Sequence, residues 1–198
     1  MADYWNHNTA YHPWLVDIAA QHHGDVLDVG CGEGLLVQRL AAVSQRVVGI
    51  EPDDATLERA RLRLHSTTNT SVDRCDFQGF TAPEQSFDVI VFVASIHHQP
   101  LREALAKARR LLKPGGELAV VGLAANTTIR DRAWSLLCMP IVRIGSRLHG
   151  ETRDIGVPVT EPHENFDQIR QVANEVLPNA QLRRGLYYRY RLHWRNPL

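Results

Sequence analysis

Nowhere in the 198 residues does an apolar run approach the ~20 residues needed to cross a bilayer. A stretch such as Val89–Ile96 has the length of a buried strand. The start of the chain, Met1-Ala2-Asp3-Tyr4-Trp5-Asn6-His7, has neither the basic opening nor the apolar core of an export signal, so a cytoplasmic location is expected. Net charge is absent as well: 22 basic residues balance 22 acidic ones, which gives the chain no overall polyanion-binding signature. Cysteine is scarce. Cys31, Cys75 and Cys138 are an odd number at distant spacings without a CxxC pair, which excludes a disulfide framework and a zinc site. Each reads as a small buried hydrophobe. Internal repeats and low-complexity segments are also missing. Hydrophobic residues make up 44% of the chain and charged ones 22%, ordinary values for a globular chain that buries a core. The length suits one domain over residues 1–198.

Apolar runs and helical periodicity alternate through the first two thirds. A helix is expected from about Ala10 to His23, stopped by Gly24 as its C-terminal cap. Val26-Leu27-Asp28-Val29 reads as a buried strand that ends in the loop Gly30-Cys31-Gly32-Glu33-Gly34. Helical spacing follows from Leu35 to Ala42. Arg46–Ile50 is a second strand with Glu51 at its end, and Asp53 can cap a helix that runs to about His65. Ser71–Asp76 reads as a third strand. Phe87–Ala94 is a fourth, apolar after Asp88, as in a strand covered on both faces. Leu101–Leu112 is a helix closed by Lys113-Pro114-Gly115-Gly116, and Glu117–Leu123 is a fifth strand. Such alternation with short connections means a parallel α/β sheet with right-handed crossovers. Ile129–Leu148 is apolar and basic and is interrupted by Pro140; Phe166–Val176 is helical. Residues 188–195 alternate strictly and pair antiparallel with a strand near Ala180–Arg184, turning at Gly185. The expected architecture is an open, mostly parallel sheet finished by an antiparallel hairpin.

Gly30, Gly32 and Gly34 follow a strand and open a helix, a context in which backbone amides approach a nucleotide. Glycine spacing alone does not separate nucleotide classes, so the neighbours decide. Asp28 and Glu33 flank the loop, and no Lys or Arg occurs from Gly24 to Gln38. A pyrophosphate there faces repulsion of ~1 kcal/mol or more per close like-charge pair. A ligand with an ammonium and a sulfonium is favoured instead. The third glycine also comes one residue too early for the dinucleotide GxGxxG pattern. Glu51 stands where a carboxylate accepts from both hydroxyls of a ribose. Pro52 offers an apolar face to an adenine, Asp76 can accept from its amino group, and Phe77 can stack on it; Asp76 can equally be a helix cap.

With these residues in view, the chain resembles the class I S-adenosylmethionine-dependent methyltransferases, loosely in the manner of the ubiquinone and menaquinone biosynthesis subgroup. Five motifs over roughly residues 24–123 carry the resemblance: residues 26–34, Gly49-Ile50-Glu51-Pro52, Cys75-Asp76-Phe77, Ser86-Phe87-Asp88-Val89-Ile90, and Leu111-Leu112-Lys113-Pro114-Gly115-Gly116. The resemblance implies a Rossmann-like fold with a seven-stranded sheet, helices on both faces and a C-terminal hairpin. It implies S-adenosyl-L-methionine as cofactor and S-adenosyl-L-homocysteine as product. By it, Asp28, Gly30, Cys31, Gly32 and Gly34 hold the methionine moiety, Glu51 and Pro52 the ribose and its surroundings, Asp76 and Phe77 the adenine, and Val93 the edge of the site.

For the methyl acceptor, the fourth strand ends at Ser95-Ile96-His97-His98-Gln99, where ligands of open α/β sheets bind. His97 or His98 can serve as a general base or only shape the pocket, with His97 preferred. Two adjacent histidines without a third ligand are no metal site. The N-terminal stretch (residues 1–24, with Tyr4, Trp5, His7, Tyr11, His12 and Trp14) reads as a cover, and residues 124–164 as a lid-like insertion. Tyr11, Trp134 and Met139 are the expected acceptor-binding residues, which favours a small hydrophobic or aromatic acceptor. The insertion could also be a core helix or touch a membrane surface transiently; no stable membrane association is expected. Nucleic acid is not expected as acceptor: no Asn-Pro-Pro-aromatic signature occurs, and strand alternation accounts for Arg183, Arg184, Arg189, Arg191 and Arg195. A non-catalytic nucleotide-binding module and an NAD-dependent oxidoreductase remain as alternatives, and the oligomeric state is open.

Overall fold

Val26 and Leu27 are neighbours in the chain and both fully buried, yet they belong to different cores. That is the consequence of period-two alternation in a strand covered on both faces. The strands, in a computed structural model that describes residues 3–127, 129–148, 150–152, 161–186 and 189–198, are β1 (Asp25–Val29), β2 (Arg46–Ile50), β3 (Thr70–Asp73), β4 (Phe87–Val93), β5 (Leu112–Leu123), β6 (Gln181–Arg184) and β7 (Arg189–Arg195). They form one sheet in the order β3-β2-β1-β4-β5-β7-β6. The first five run parallel, and β7 is antiparallel to both β5 and β6. Helices α1 (His12–His22) and α2 (Leu35–Ala41) cover one face; α4 (Leu101–Leu111) and α6 (Phe166–Val176) cover the other. Leu15, Leu36 and Leu40 meet Val26, Val89 and Val91 on the first. Leu105, Phe166 and Ile169 meet Leu27, Ile90 and Leu118 on the second. Each fully buried side chain of this size contributes about 1.5–3 kcal/mol.

The strand order reverses between β1 and β4, so the carboxyl ends of these two strands diverge and leave a crevice. This is the fold expected from the sequence, a mostly parallel α/β sheet with an antiparallel hairpin. Helix starts follow their caps. Asp53 accepts from the backbone N–H of Thr56 and opens α3 (Asp54–Leu64). Asn165 and Gln168 form a reciprocal capping box at α6, a device worth ~1 kcal/mol.

Several boundaries differ from the sequence expectation. The left-handed residue that ends α1 is His23 (φ 50°), not Gly24; the His23 ring Nδ1 lies 3.1 Å from the Val43 carbonyl and holds it there. β3 ends at Asp73, three residues before Asp76. Lys113–Gly116 do not merely close α4: β5 begins at Leu112, with a register shift against β4 between Phe87 and Val89. Helix α5 (Ile129–Leu148) runs through Pro140 without a break in assignment.

Candidate active site

The β1–α2 loop is built on positive-φ glycines. Gly30 has φ 71°, and a Cβ on it would stand 2.5 Å from the Cβ of Ser95. Only glycine fits there. The loop's amides, however, are spent inside the protein. Those of Gly30 and Cys31 donate to the carbonyl of Ile50, and that of Gly34 donates to Cys31. The amide of Gly32 donates to Glu51 Oε2 at 3.0 Å. An anion-binding nest needs such N–H groups turned outward, so four of the loop's donors are lost to a phosphate.

Negative charge takes their place. Asp28 is buried at the end of β1, and its Oδ2 has no hydrogen-bond partner. Burial, with the Glu51 carboxylate as a second cause, pushes its pKa up to about 8. A buried polar atom without a partner is rare and costly; a cationic ligand would supply the missing partner. Glu51 is buried too, its two oxygens held by the backbone N–H groups of Gly32 and Asp53. Each oxygen keeps a lone pair for a hydroxyl. Glu33, expected to add to the negative charge, does not: Arg63, arriving from α3, pairs with it at 2.9 Å in a buried contact. Counting charges along the loop missed a cation thirty positions away.

A cavity of about 690 Å³ lies over the carboxyl ends of β1, β2 and β4, and Asp28, Gly30, Cys31, Glu51, Pro52, Asp76, Phe77, Val93, His97 and His98 all line it. Gly32 and Gly34 do not. Gly32 acts through its bond to Glu51, and Gly34 (φ 82°) lets α2 approach Ala60 and Leu64 of α3 closely. Burial and the nearby Asp28 raise the pKa of the Cys31 thiol well above its ordinary value, so it is a neutral, inert lining group. Asp76 has Oδ1 engaged by the Gly79 amide at 2.6 Å, which leaves its second oxygen for a ligand. Phe77 cannot offer a free face: its ring is 1% exposed, set edge-on to Phe92 with centroids 5.2 Å apart. It forms the floor of the cavity and is no stacking platform.

Tyr11, Trp134 and Met139 are absent from the lining, which corrects their expected role. Tyr11 donates its hydroxyl to the Leu186 carbonyl, and the Trp134 indole points to Gly185 at 3.4 Å. Leu136, Leu137, Ile144 and Leu148 are exposed, so α5 turns these apolar residues outward. The end of α5 and the residues after it do reach the site: Ser146 meets His7 at 3.0 Å, and Glu151 and Thr152 line the cavity.

The other wall comes from the N-terminal segment, through Tyr4, His7 and His12 but also through Asn6, Asn8 and Thr9. Ala94 adopts φ 52°, and this turn carries Ser95, His97 and His98 over the cavity. The two imidazole rings lie 4.3 Å apart; His97 is buried and His98 exposed. Strand alternation alone places Arg189 in solvent. It lines the cavity instead, its Nε donating to Asn8 Oδ1 at 2.8 Å, and burial lowers its pKa to about 10. Its pairing opposite Leu123, at the carboxyl end of β5, is the signal that locates it, and that register is invisible without strand pairing.

Among the described residues no group of His, Cys, Asp and Glu could hold a metal, and no helix is long and apolar enough to cross a membrane.

The topology, the crevice at the strand-order reversal and a cavity lined with carboxylates define the class I S-adenosylmethionine-dependent methyltransferases. The chain belongs to this family. A methyltransferase domain matches residues 26–116. An uncharacterised methyltransferase of Mycobacterium tuberculosis is 31% identical over 195 residues, 98% of each chain. A ubiquinone biosynthesis O-methyltransferase of Saccharophagus degradans is 36% identical over 96 residues, 47% of this chain and 41% of its own. Among solved structures, the N-methyltransferase NodS of Bradyrhizobium japonicum in complex with S-adenosylhomocysteine has a TM-score of 0.67 at 18% identity, covering 96% of this chain and 87% of its own.

Proposed function

We propose that this methyltransferase transfers the methyl group of S-adenosylmethionine to a heteroatom of a small polar molecule seated between the His97–His98 turn and the N-terminal segment. The observation that carries the reading is Asp28, a residue of the cavity lining whose buried Oδ2 has no partner, at the foot of a loop whose amides are already spent. Asp28 takes the cofactor's ammonium, Glu51 the ribose diol, Asp76 the adenine amino group, and Val93, Pro52 and Cys31 line the site. When bound, the cofactor supplies an electrophilic methyl carbon on a sulfonium leaving group. Positioning and exclusion of water then provide most of the acceleration, and His97 accepts the proton of the acceptor's O–H or N–H as the new bond forms. His97 is preferred to His98 because it is buried beside the cavity, where proton transfer is shielded from solvent.

A purely hydrophobic or aromatic acceptor has lost its main support, since Trp134 and Met139 lie outside the cavity. The wall beyond the cofactor end carries His7, Asn6, Gln99, Glu151, Thr152 and Arg189, with Leu123 among them. Both the O-methyltransferase and the N-methyltransferase named above act, by their names, on heteroatoms. Calorimetry should find tight binding of S-adenosylhomocysteine and none of NAD. Phenolic, amine and carboxylate acceptors are then screened for release of S-adenosylhomocysteine. NAD binding without a response to the homocysteine compound would end the reading.

A further inference from the structure

His12 opens α1 with its ring buried and its Nδ1 3.1 Å from Arg39 Nη1. A guanidinium has no lone pair to give, so Arg39 donates and Nδ1 accepts. The neutral ring must then carry its proton on Nε2. Burial, followed by the charge of Arg39, holds the imidazole neutral by lowering its pKa to about 3, against a smaller opposing pull from Asp3. Arg39 is itself held by Asp3 Oδ2 at 2.9 Å, and Arg63 Nη1 lies 4.0 Å from the other oxygen of Asp3. The relay Asp3–Arg39–His12 therefore fixes the one N–H donor of a residue that lines the cavity. Nearby hydroxyls have spent their protons, Thr9 on the Asn6 carbonyl and Ser95 on the Val29 carbonyl.

Position says what the donor meets. Asp28 shares with Val26 the sheet face that α1 and α2 cover, by strand alternation, and Val26 packs in that core with Leu15 of α1. Glu51, Pro52 and Asp76 follow β2 and β3, on the far side of β1 from β4. An ammonium held at Asp28 thus brings the carboxylate on its neighbouring carbon to the His12 side, away from the ribose and adenine. We infer that His12 Nε2–H donates to the cofactor's α-carboxylate, with Arg39 and Asp3 as positioning residues that fix its tautomer. The inference rests on the cofactor reading above.

Calorimetry with two probes tests it: S-adenosylhomocysteine, which has the aminoacyl group, and 5′-methylthioadenosine, which lacks it. His12→Phe should weaken the first by about ten- to a hundredfold, the range for a lost hydrogen bond to a charged group, and leave the second within about twofold. His12→Gln, whose amide N–H can reach the same point, should restore most of the loss. Arg39→Met removes the donor that fixes the ring's tautomer, so it should weaken S-adenosylhomocysteine by about three- to tenfold and leave 5′-methylthioadenosine within about twofold; a merely structural Arg39 would move both probes alike. Equal losses for both probes in His12→Phe, or no loss for either, would overturn the assignment. A wild-type protein that binds neither probe would instead sink the cofactor reading and this inference together.

Discussion

The two halves of the cavity are built in different ways. The half proposed for the cofactor is assembled from residues that follow one another directly: Asp28 to Cys31 in the β1 turn, Glu51 and Pro52 after β2, Asp76 and Phe77 after β3. The half proposed for the acceptor gathers Asn8, His97, Glu151 and Arg189 from the N-terminal segment, the β4–α4 turn, the residues after α5 and the last strand. The first half is held by backbone geometry, glycine φ angles and amides donating to Ile50 and Glu51. The second is held by side chains, Arg189 on Asn8 and His7 on Ser146. A substitution in the first should strain the fold and the binding together; one in the second should change turnover while the cofactor still binds.

The largest effect is expected at Gly30→Val. Strain at φ 71° and collision with Ser95 should cost roughly 2–5 kcal/mol of stability, read by chemical denaturation, with binding of S-adenosylhomocysteine lost. A fold and affinity like those of the wild type would break the comparison. Glu51→Ala should weaken that binding by about 1–3 kcal/mol in calorimetry, since it removes the diol acceptor and frees the Gly32 amide. Asp28 makes the cofactor half sensitive to pH. Its ammonium partner needs the ionised carboxylate, so affinity should fall as pH drops through about 8, and Asp28→Asn should bind weakly with that dependence removed. The sign for stability is opposite. A carboxyl whose pKa is raised on folding stabilises the empty protein below its unfolded pKa and loses that contribution as pH rises through the folded value. Thermal melts of the empty wild type should therefore decline toward pH 8 relative to Asp28→Asn.

On the acceptor side, His97→Ala should lower kcat by about 10²–10⁴-fold and shift affinity for S-adenosylhomocysteine by about twofold or less. A matching loss of affinity would place His97 in the cofactor half. The smallest effect belongs to Trp134→Ala and Met139→Ala. Both residues lie outside the cavity, so cofactor affinity and acceptor KM should each stay within about twofold of wild type.

Local chemistry was readable wherever it is carried by consecutive residues. The apolar strands, the Asp53 cap and the glycine turn with its flanking Asp28 follow from propensities that act over a few positions. The reading failed where a distant residue intervened. Arg63 neutralises Glu33 across 30 positions. Phe92 packs against Phe77 in a T-shaped pair that buries it, and Asn8 draws Arg189 inward from a strand whose alternation alone suggested solvent. Aromatic character alone suits Tyr11 and Trp134 to an acceptor pocket, but their polar atoms go to the backbone of the β6–β7 hairpin.

The alternation of strands and helices, the parallel sheet with its antiparallel hairpin, and the placing of Asp28 and Glu51 where their strands end were already determined by the chain of amino acids, because hydrophobic alternation and glycine backbone freedom are local. Which cations, imidazoles and amides face the acceptor was decided only by the tertiary structure. Those groups come from segments up to 181 positions apart, as Asn8 and Arg189 are, and only the packing of the N-terminal segment against the sheet's final strand brings them to one wall.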